Sequence, residues 1–280
     1  MEKIIVPFDF SETAENALGL AAEIAQTQHV PLELWHVIED MASLAMVGEA
    51  GAMNLSLWES YYSQLQEQTE ARFKTLVLRY PSLRISYRVE VGSMYDQLIH
   101  PLSEVKNAWI IMGTQGAQGL KALYPGSTTE KVIRLAQSPV LAIKSPIALA
   151  DLQKIAVAVD FHSLTEEYLL QIKFVQHVFQ AHLSLVWVNT PSTFQKSREV
   201  LDQLHRLALK QLMTNYSVSV YNDYSIEEGI VDFALAEKAS LIALATHGRT
   251  GWAHLFKGSI TEDLANAVDL PVFSFRVIAE

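Results

Sequence analysis

A chain of 280 residues, half of them hydrophobic and 19% charged, holds enough apolar material for two packed domains of ordinary size. Its formal net charge of −10 argues against nucleic acid or an anionic membrane as the main partner, since both call for a basic footprint. The absence of cysteine excludes disulfides, zinc–thiolate sites, iron–sulfur clusters and thiol nucleophiles. The opening residues run straight into a strand-like stretch with no leader pattern, and nothing approaches the roughly 18 uninterrupted apolar residues of a membrane span. The expectation is a soluble cytoplasmic protein.

In chain order, residues 3–8 read as a short buried strand ending at Asp9. Ser11 is a helix N-cap with Glu12 in the first turn, where a carboxylate suits the dipole. Ala14, Ala17, Leu18, Ala21, Ala22 and Ala25 then form the stripe of a helix lying on a sheet. Strands follow at 32–38, 84–91, 109–112 and 140–143, with helices at 57–78, 95–105 and 129–137, and Pro139 suits entry to the last strand. Residues 40–55 read as a loop, rich in methionine and glycine.

After a linker at 144–153 the pattern restarts. A strand at 154–159 ends at Asp160 as the first ended at Asp9. Residues 163–166 form a capping box, and strands follow at 182–188, 217–221, 241–244 and 270–275, with helices at 194–213, 226–237 and 262–267. The second copy is shorter, and the missing residues fall after its second strand. Alternating strands and helices, present twice, predict two doubly wound parallel sheets with ligands beyond the strands' carboxyl ends. If strands one and four of each half are neighbours, Asp9 and Gly113 border one crevice.

The stretch from Gly113 to Glu130 has the order strand, glycine-rich loop, helix start. Glycine admits positive φ and close approach of a ligand, and a helix starting near Ser127 aims free N–H groups at an anion. The spacing from Gly116 to Gly126 recurs from Gly248 to Gly258. A tight turn serving only the backbone is the alternative reading. Ser127 and Ser259 also open capping boxes, a purely structural use compatible with phosphate binding. Asp9 and Asp160 read either as helix caps or as contacts to a nucleoside or to magnesium held through water. At Ala245 the second half carries a methyl group in place of the first glycine, while His247, Arg249 and Lys257 add positive charge. No Walker loop, nucleophile elbow or dinucleotide fingerprint occurs, and the nine histidines lack zinc-helix spacing.

Gly113, Gly116, Gly126 and Ser127, with residues 7–15 and the His36–Val37 pair, resemble the universal stress protein family in its tandem two-domain form. The second half keeps Gly248, Gly258 and Ser259. The resemblance implies domains at 1–146 and 152–280, each a five-stranded α/β sheet of order 3-2-1-4-5. The fold would be of the HUP, adenine nucleotide alpha hydrolase-like type, with the fifth strands paired as an internal pseudo-dimer. It implies an adenine-nucleotide site. The base lies near Val37, and base and ribose lie near Pro7, Phe8 and Asp9. Met112, Gly113 and Gln115 line the site, and phosphates rest on Gly116, Gly126, Ser127, Thr128 and Thr129. In the second half the corresponding set is Val159, Asp160, Val188, Ala245, His247, Gly248, Arg249, Gly258, Ser259, Ile260 and Thr261. The expected function is that of an ATP-binding stress-response or regulatory protein with slow ATP hydrolysis at most, magnesium accompanying the nucleotide near Asp9. The alternatives are an interaction scaffold of the same fold that binds no nucleotide, and a weak ATPase. A protein partner stays unidentified, and a further homodimer stays open.

Overall fold

The structure, a computed structural model, describes residues 1–40, 55–114, 128–161, 166–246 and 270–276. In the first half these form β1 (Lys3–Pro7), α1 (Glu12–Gln28), β2 (Leu32–Glu39), α2 (Leu55–Val77), β3 (Ile85–Gly92), α3 (His100–Glu104), β4 (Ala108–Gly113), α4 (Thr128–Leu135) and β5 (Val140–Ile143). In the second they form β6 (Lys154–Ala158), α5 (Glu166–Phe179), β7 (His182–Asn189), α6 (Ser197–Lys210), β8 (Tyr216–Asn222), α7 (Ile226–Ala236), β9 (Leu241–Thr246) and β10 (Val272–Arg276). The strands join in one sheet of order β3-β2-β1-β4-β5-β10-β9-β6-β7-β8. Each half is parallel throughout and has the expected order. The expected crossing between halves is the antiparallel pair β5–β10, with Leu141 opposite Phe273.

The strand ends are set by local chemistry. Pro139 and Pro271 stand just before the two fifth strands and have no N–H to place. Their carbonyls accept from Ile110 N (2.9 Å) and Ile242 N (3.0 Å), which starts each ladder. All four residues of β5 are buried, as a strand covered on both faces requires.

Ser11 caps α1 as expected, its hydroxyl accepting from Ala14 N at 3.2 Å. The helix ends at His29, which takes φ 55° while its N–H returns to the Ala25 carbonyl. Leu18, Ala21 and Ile24 press onto the sheet.

The core of one face is continuous across both halves. Trp109 of β4 meets Phe273 of β10 at 4.7 Å between centroids, and Phe174 and Phe179 of α5 at 5.5 and 5.9 Å. Such ring pairs each contribute about 0.5–1.5 kcal/mol beyond area burial, so the joint is a packed core rather than a surface contact. The other face carries two separate clusters, one per half.

Two expectations need correction, and the linker between the halves gains detail. The helix over 95–105 is not one regular α-helix: Tyr95–Ile99 is a π turn that hands over to α3. Pro101 explains it. Proline offers no N–H to the Gln97 carbonyl four residues back, and its ring crowds that carbonyl, so the preceding turn widens. The helix over 194–213 is shorter at both ends. The Asn189 side chain grips the backbone of Gln195 through both its oxygen (2.9 Å) and its nitrogen (3.0 Å), so the chain reaches Ser197 before turning. Leu212 ends it at φ 52°. The linker over 144–153 is tied down: Leu149 N donates to Glu23 Oε2 at 2.7 Å, and Leu152 is fully buried. The short, pinned passage after β7 is where the second copy is abbreviated. Its first-half counterpart over 41–54, expected as a methionine-rich loop, lies outside the described residues, as do the capping-box residues 163–165 and the helix expected at 262–267.

Candidate functional site

β1 pairs with β4, Ile4 opposite Trp109, so the segment from Pro7 to Asp9 and the segment from Met112 to Thr114 leave the sheet side by side. This is the adjacency that the crevice required. Phe8 gives the crevice shape rather than chemistry. Its ring is buried against Phe10 and Phe73, its N–H donates to the Trp35 carbonyl at 2.8 Å, and its own carbonyl meets His36 Nδ1 at 2.6 Å. Because that carbonyl can only accept, the neutral His36 ring carries its proton on Nδ1.

Asp9 is exposed, and its Oδ1 accepts from Ser11 N at 3.0 Å. One carboxylate oxygen therefore organises the entry to α1. The structural reading of Asp9 holds for that oxygen.

Gly113 sits at the end of β4 without a left-handed φ; among the described glycines only Gly92 has one. The reason for glycine is crowding, since a Cβ at 113 would stand 2.4 Å from the Thr13 carbonyl carbon. The glycine thus makes room for the backbone of α1. The start of α4 lies close by, with Thr129 Oγ1 3.5 Å from the Gly113 carbonyl. Thr128 and Thr129 thus occupy the first turn of a helix that opens beside the crevice. Val37, on the opposite side of β2 from His36, is partly buried and packs against the cluster of Trp35, Leu98 and Met112. Gln115, Gly116, Gly126 and Ser127 lie outside the described residues.

A group with no marker in the sequence stands beside this crevice. Phe10 adopts φ 62°, unusual for an aromatic residue, and is held by Phe8, Phe73, the His36 ring and the Arg72 guanidinium 3.7 Å over its face. Burial pushes the His36 pKa down. The Phe8 carbonyl and the Asp9 charge oppose this, and Arg72 adds to it. Arg72 and Phe73 come from α2, far along the chain, and no local pattern could have linked them to Phe10.

In the second half, Val159 and Val188 are buried, Asp160 is partly buried and Ala245 is buried in β9. Phe161 and Trp187 take the places of Phe10 and His36, stacked at 4.8 Å with 20° between planes. Among the described residues the buried Trp187 indole N–H has no hydrogen-bond partner. The Tyr168 hydroxyl donates to the Ala158 carbonyl at 3.0 Å, and burial, with the Asp160 charge behind it, drives that hydroxyl's pKa far up. His247, Gly248, Arg249, Gly258, Ser259, Ile260 and Thr261, together with Lys257, lie outside the described residues.

Among the described residues no cluster of three histidine, aspartate or glutamate side chains could hold a metal ion, and no helix is long and apolar enough to cross a membrane. A cavity of about 460 Å³ lies at the opposite, amino end of β4 and β5, between Met1, Lys106 and Gln137 on one side and Leu170 and Phe174 on the other.

Fold and strand ends define a class: two doubly wound α/β halves in one chain, each with its first and fourth strands paired so that their carboxyl ends lie side by side. The profile of the universal stress protein family matches residues 1–144 and again 152–276, and the chain belongs to that family. It is 31% identical over 156 residues to "Universal stress protein MJ0577" of Methanocaldococcus jannaschii, covering 51% of this chain and 94% of that protein. It is 25% identical over 147 residues to "Universal stress protein MJ0531" of the same organism, covering 52% and 83%. Its whole fold is similar to the crystal structure of a universal stress protein from Archaeoglobus fulgidus, with a TM-score of 0.73 at 17% identity, covering 98% of this chain and 96% of that one.

Proposed function

We propose that the first half binds an adenine nucleotide between the carboxyl ends of β1 and β4, and that the protein acts as a cytoplasmic, nucleotide-dependent regulator rather than as an efficient enzyme. One observation carries the reading: the ends of β1 and β4 lie side by side, with the first turn of α4 next to Gly113. Backbone N–H donors in the first turn of α4 support an anionic tail there, and Val37 and Pro7 support an apolar base beside it. The phosphates rest on Thr128 and Thr129 and on the glycine-loop residues Gly116, Gly126 and Ser127. The exposed Asp9 carboxylate faces the ribose or, through water, a magnesium ion that accompanies ATP. The domains run over 1–146 and 152–280. Hydrolysis is slow at most, a reading supported by a sequence without a Walker loop or a nucleophile elbow.

The test is mass spectrometry of the purified protein for co-purifying adenine nucleotide, followed by ATP titration with and without magnesium. The expected outcome is saturable binding that Gly126→Val removes. Wild-type affinity in that variant would sink the loop assignment. A purified, folded chain that binds no adenine nucleotide would favour the scaffold alternative.

A further inference from the structure

We infer that this chain takes one nucleotide, in its first half, because the second half is closed to the base by its own helix. The inference rests on the nucleotide reading above and uses only the contrast between two equivalent places.

In the first half the base-side wall is loosely covered. Val37 is partly buried, and the chain after β3 opens in the π turn Tyr95–Ile99. The Gln97 side chain lies back over Gly92, such that a Cβ on Gly92 would stand 2.9 Å from Gln97 Cγ. In register with β2, Gly92 stands opposite Glu39, two residues beyond Val37. The Gln97 side chain thus lies between the π turn and the end of β3.

In the second half the residue equivalent to Gln97, counted from Ser93 and Ser225 at the start of each segment, is Gly229. The missing side chain lets α7 lie directly on β7. A Cβ at 229 would stand 2.5 Å from Val188 Cγ1 and 2.9 Å from Asp223 Cβ. Val188, the counterpart of Val37, is left 6% exposed. A purine stacked on that valine needs two van der Waals contacts, one on each face, or roughly 7 Å of clearance. The helix already stands at a single contact.

The helix is also well held. It is regular from Ile226 to Ala236, its N-terminus capped by the Ser225 hydroxyl accepting from Glu228 N at 3.1 Å. Lifting it would expose Ile230 and Phe233, both buried in the same cluster.

The crevice floor agrees. The Ala158 carbonyl at the end of β6 is taken by the buried Tyr168 hydroxyl, whose counterpart in α1 is Ala17 with no group to offer. Asp160 is partly buried where Asp9 is exposed. The second half serves instead to supply β10 to the seam.

Equilibrium dialysis of the full chain with radiolabelled ATP counts the sites, and photolabelling with 8-azido-ATP followed by proteolysis locates them without any substitution. The expected result is one ATP per chain, with label confined to peptides from residues 1–144. Two ATP per chain, or label in peptides from residues 152–276, overturns the inference and leaves the nucleotide reading standing. No binding at all removes both.

Discussion

The carbonyl carbon and oxygen of Thr13 lie 2.4 Å from the point where a Cβ on Gly113 would stand. The obstruction is main chain in the first turn of α1, so it cannot swing aside as a side-chain tip would. Gly113→Ala should therefore push α1 off the end of β4 and cost about 1–3 kcal/mol of stability. Urea unfolding reads this as a lower midpoint at unchanged slope. An unchanged midpoint would mean that the start of α1 moves freely.

His36 should make stability depend on pH. Its folded pKa lies below 6.5, mainly because burial disfavours the charged ring. On acidification below pH 6.5 the unfolded chain takes up a proton that the folded chain resists, so stability falls as pH drops through the window from 6.5 to the folded value. In His36→Gln this component is absent, and its unfolding free energy should be flatter between pH 7 and pH 5 than that of the wild type. Parallel curves for the two proteins would refute it.

The seam between the halves depends on Phe273, fully buried against Trp109 and Phe275. Phe273→Ala should cost about 3–5 kcal/mol, the usual range for emptying a buried aromatic site. Because the lost contacts are those that cross from β10 to β4, calorimetry should show two separated unfolding transitions in the variant. One sharp transition at a slightly lower temperature would mean that the halves are coupled elsewhere.

Among the described residues the buried Trp187 N–H finds no partner, and its ring stacks on Phe161. Trp187→Phe keeps a ring on Phe161 and removes the unpaired donor. Lost volume and lost desolvation penalty oppose each other, so stability should stay within about 1 kcal/mol of wild type. A loss of about 3 kcal/mol or more would show that the indole is bonded in solution. Chemical denaturation followed by circular dichroism separates the two outcomes.

Much of the architecture was legible because its causes are local. Apolar runs bounded by turn residues marked Lys3–Pro7 and Lys154–Ala158, and the Ser11 cap with its alanine-rich stripe marked α1. The repeat marked the two halves, and the strand order came with the family resemblance. The π turn had a readable signal in Pro101, whose missing N–H disturbs the turn before it. The late start of α6 had a weaker one in Asn189, since a side chain's grip on Gln195 shows only when both are placed.

By itself the amino-acid order determined which residues turn, which extend and where the pattern repeats, because hydrophobic period, caps and prolines act over a few neighbouring residues. Only the tertiary structure decided why residue 113 must be glycine, that Phe10 meets Arg72 and His36, and that Val188 is buried where Val37 is only partly so. Each of those facts is a contact between segments far apart along the chain. A difference of one side chain, Gln97 against Gly229, becomes a difference in clearance only once helix and strand are packed together.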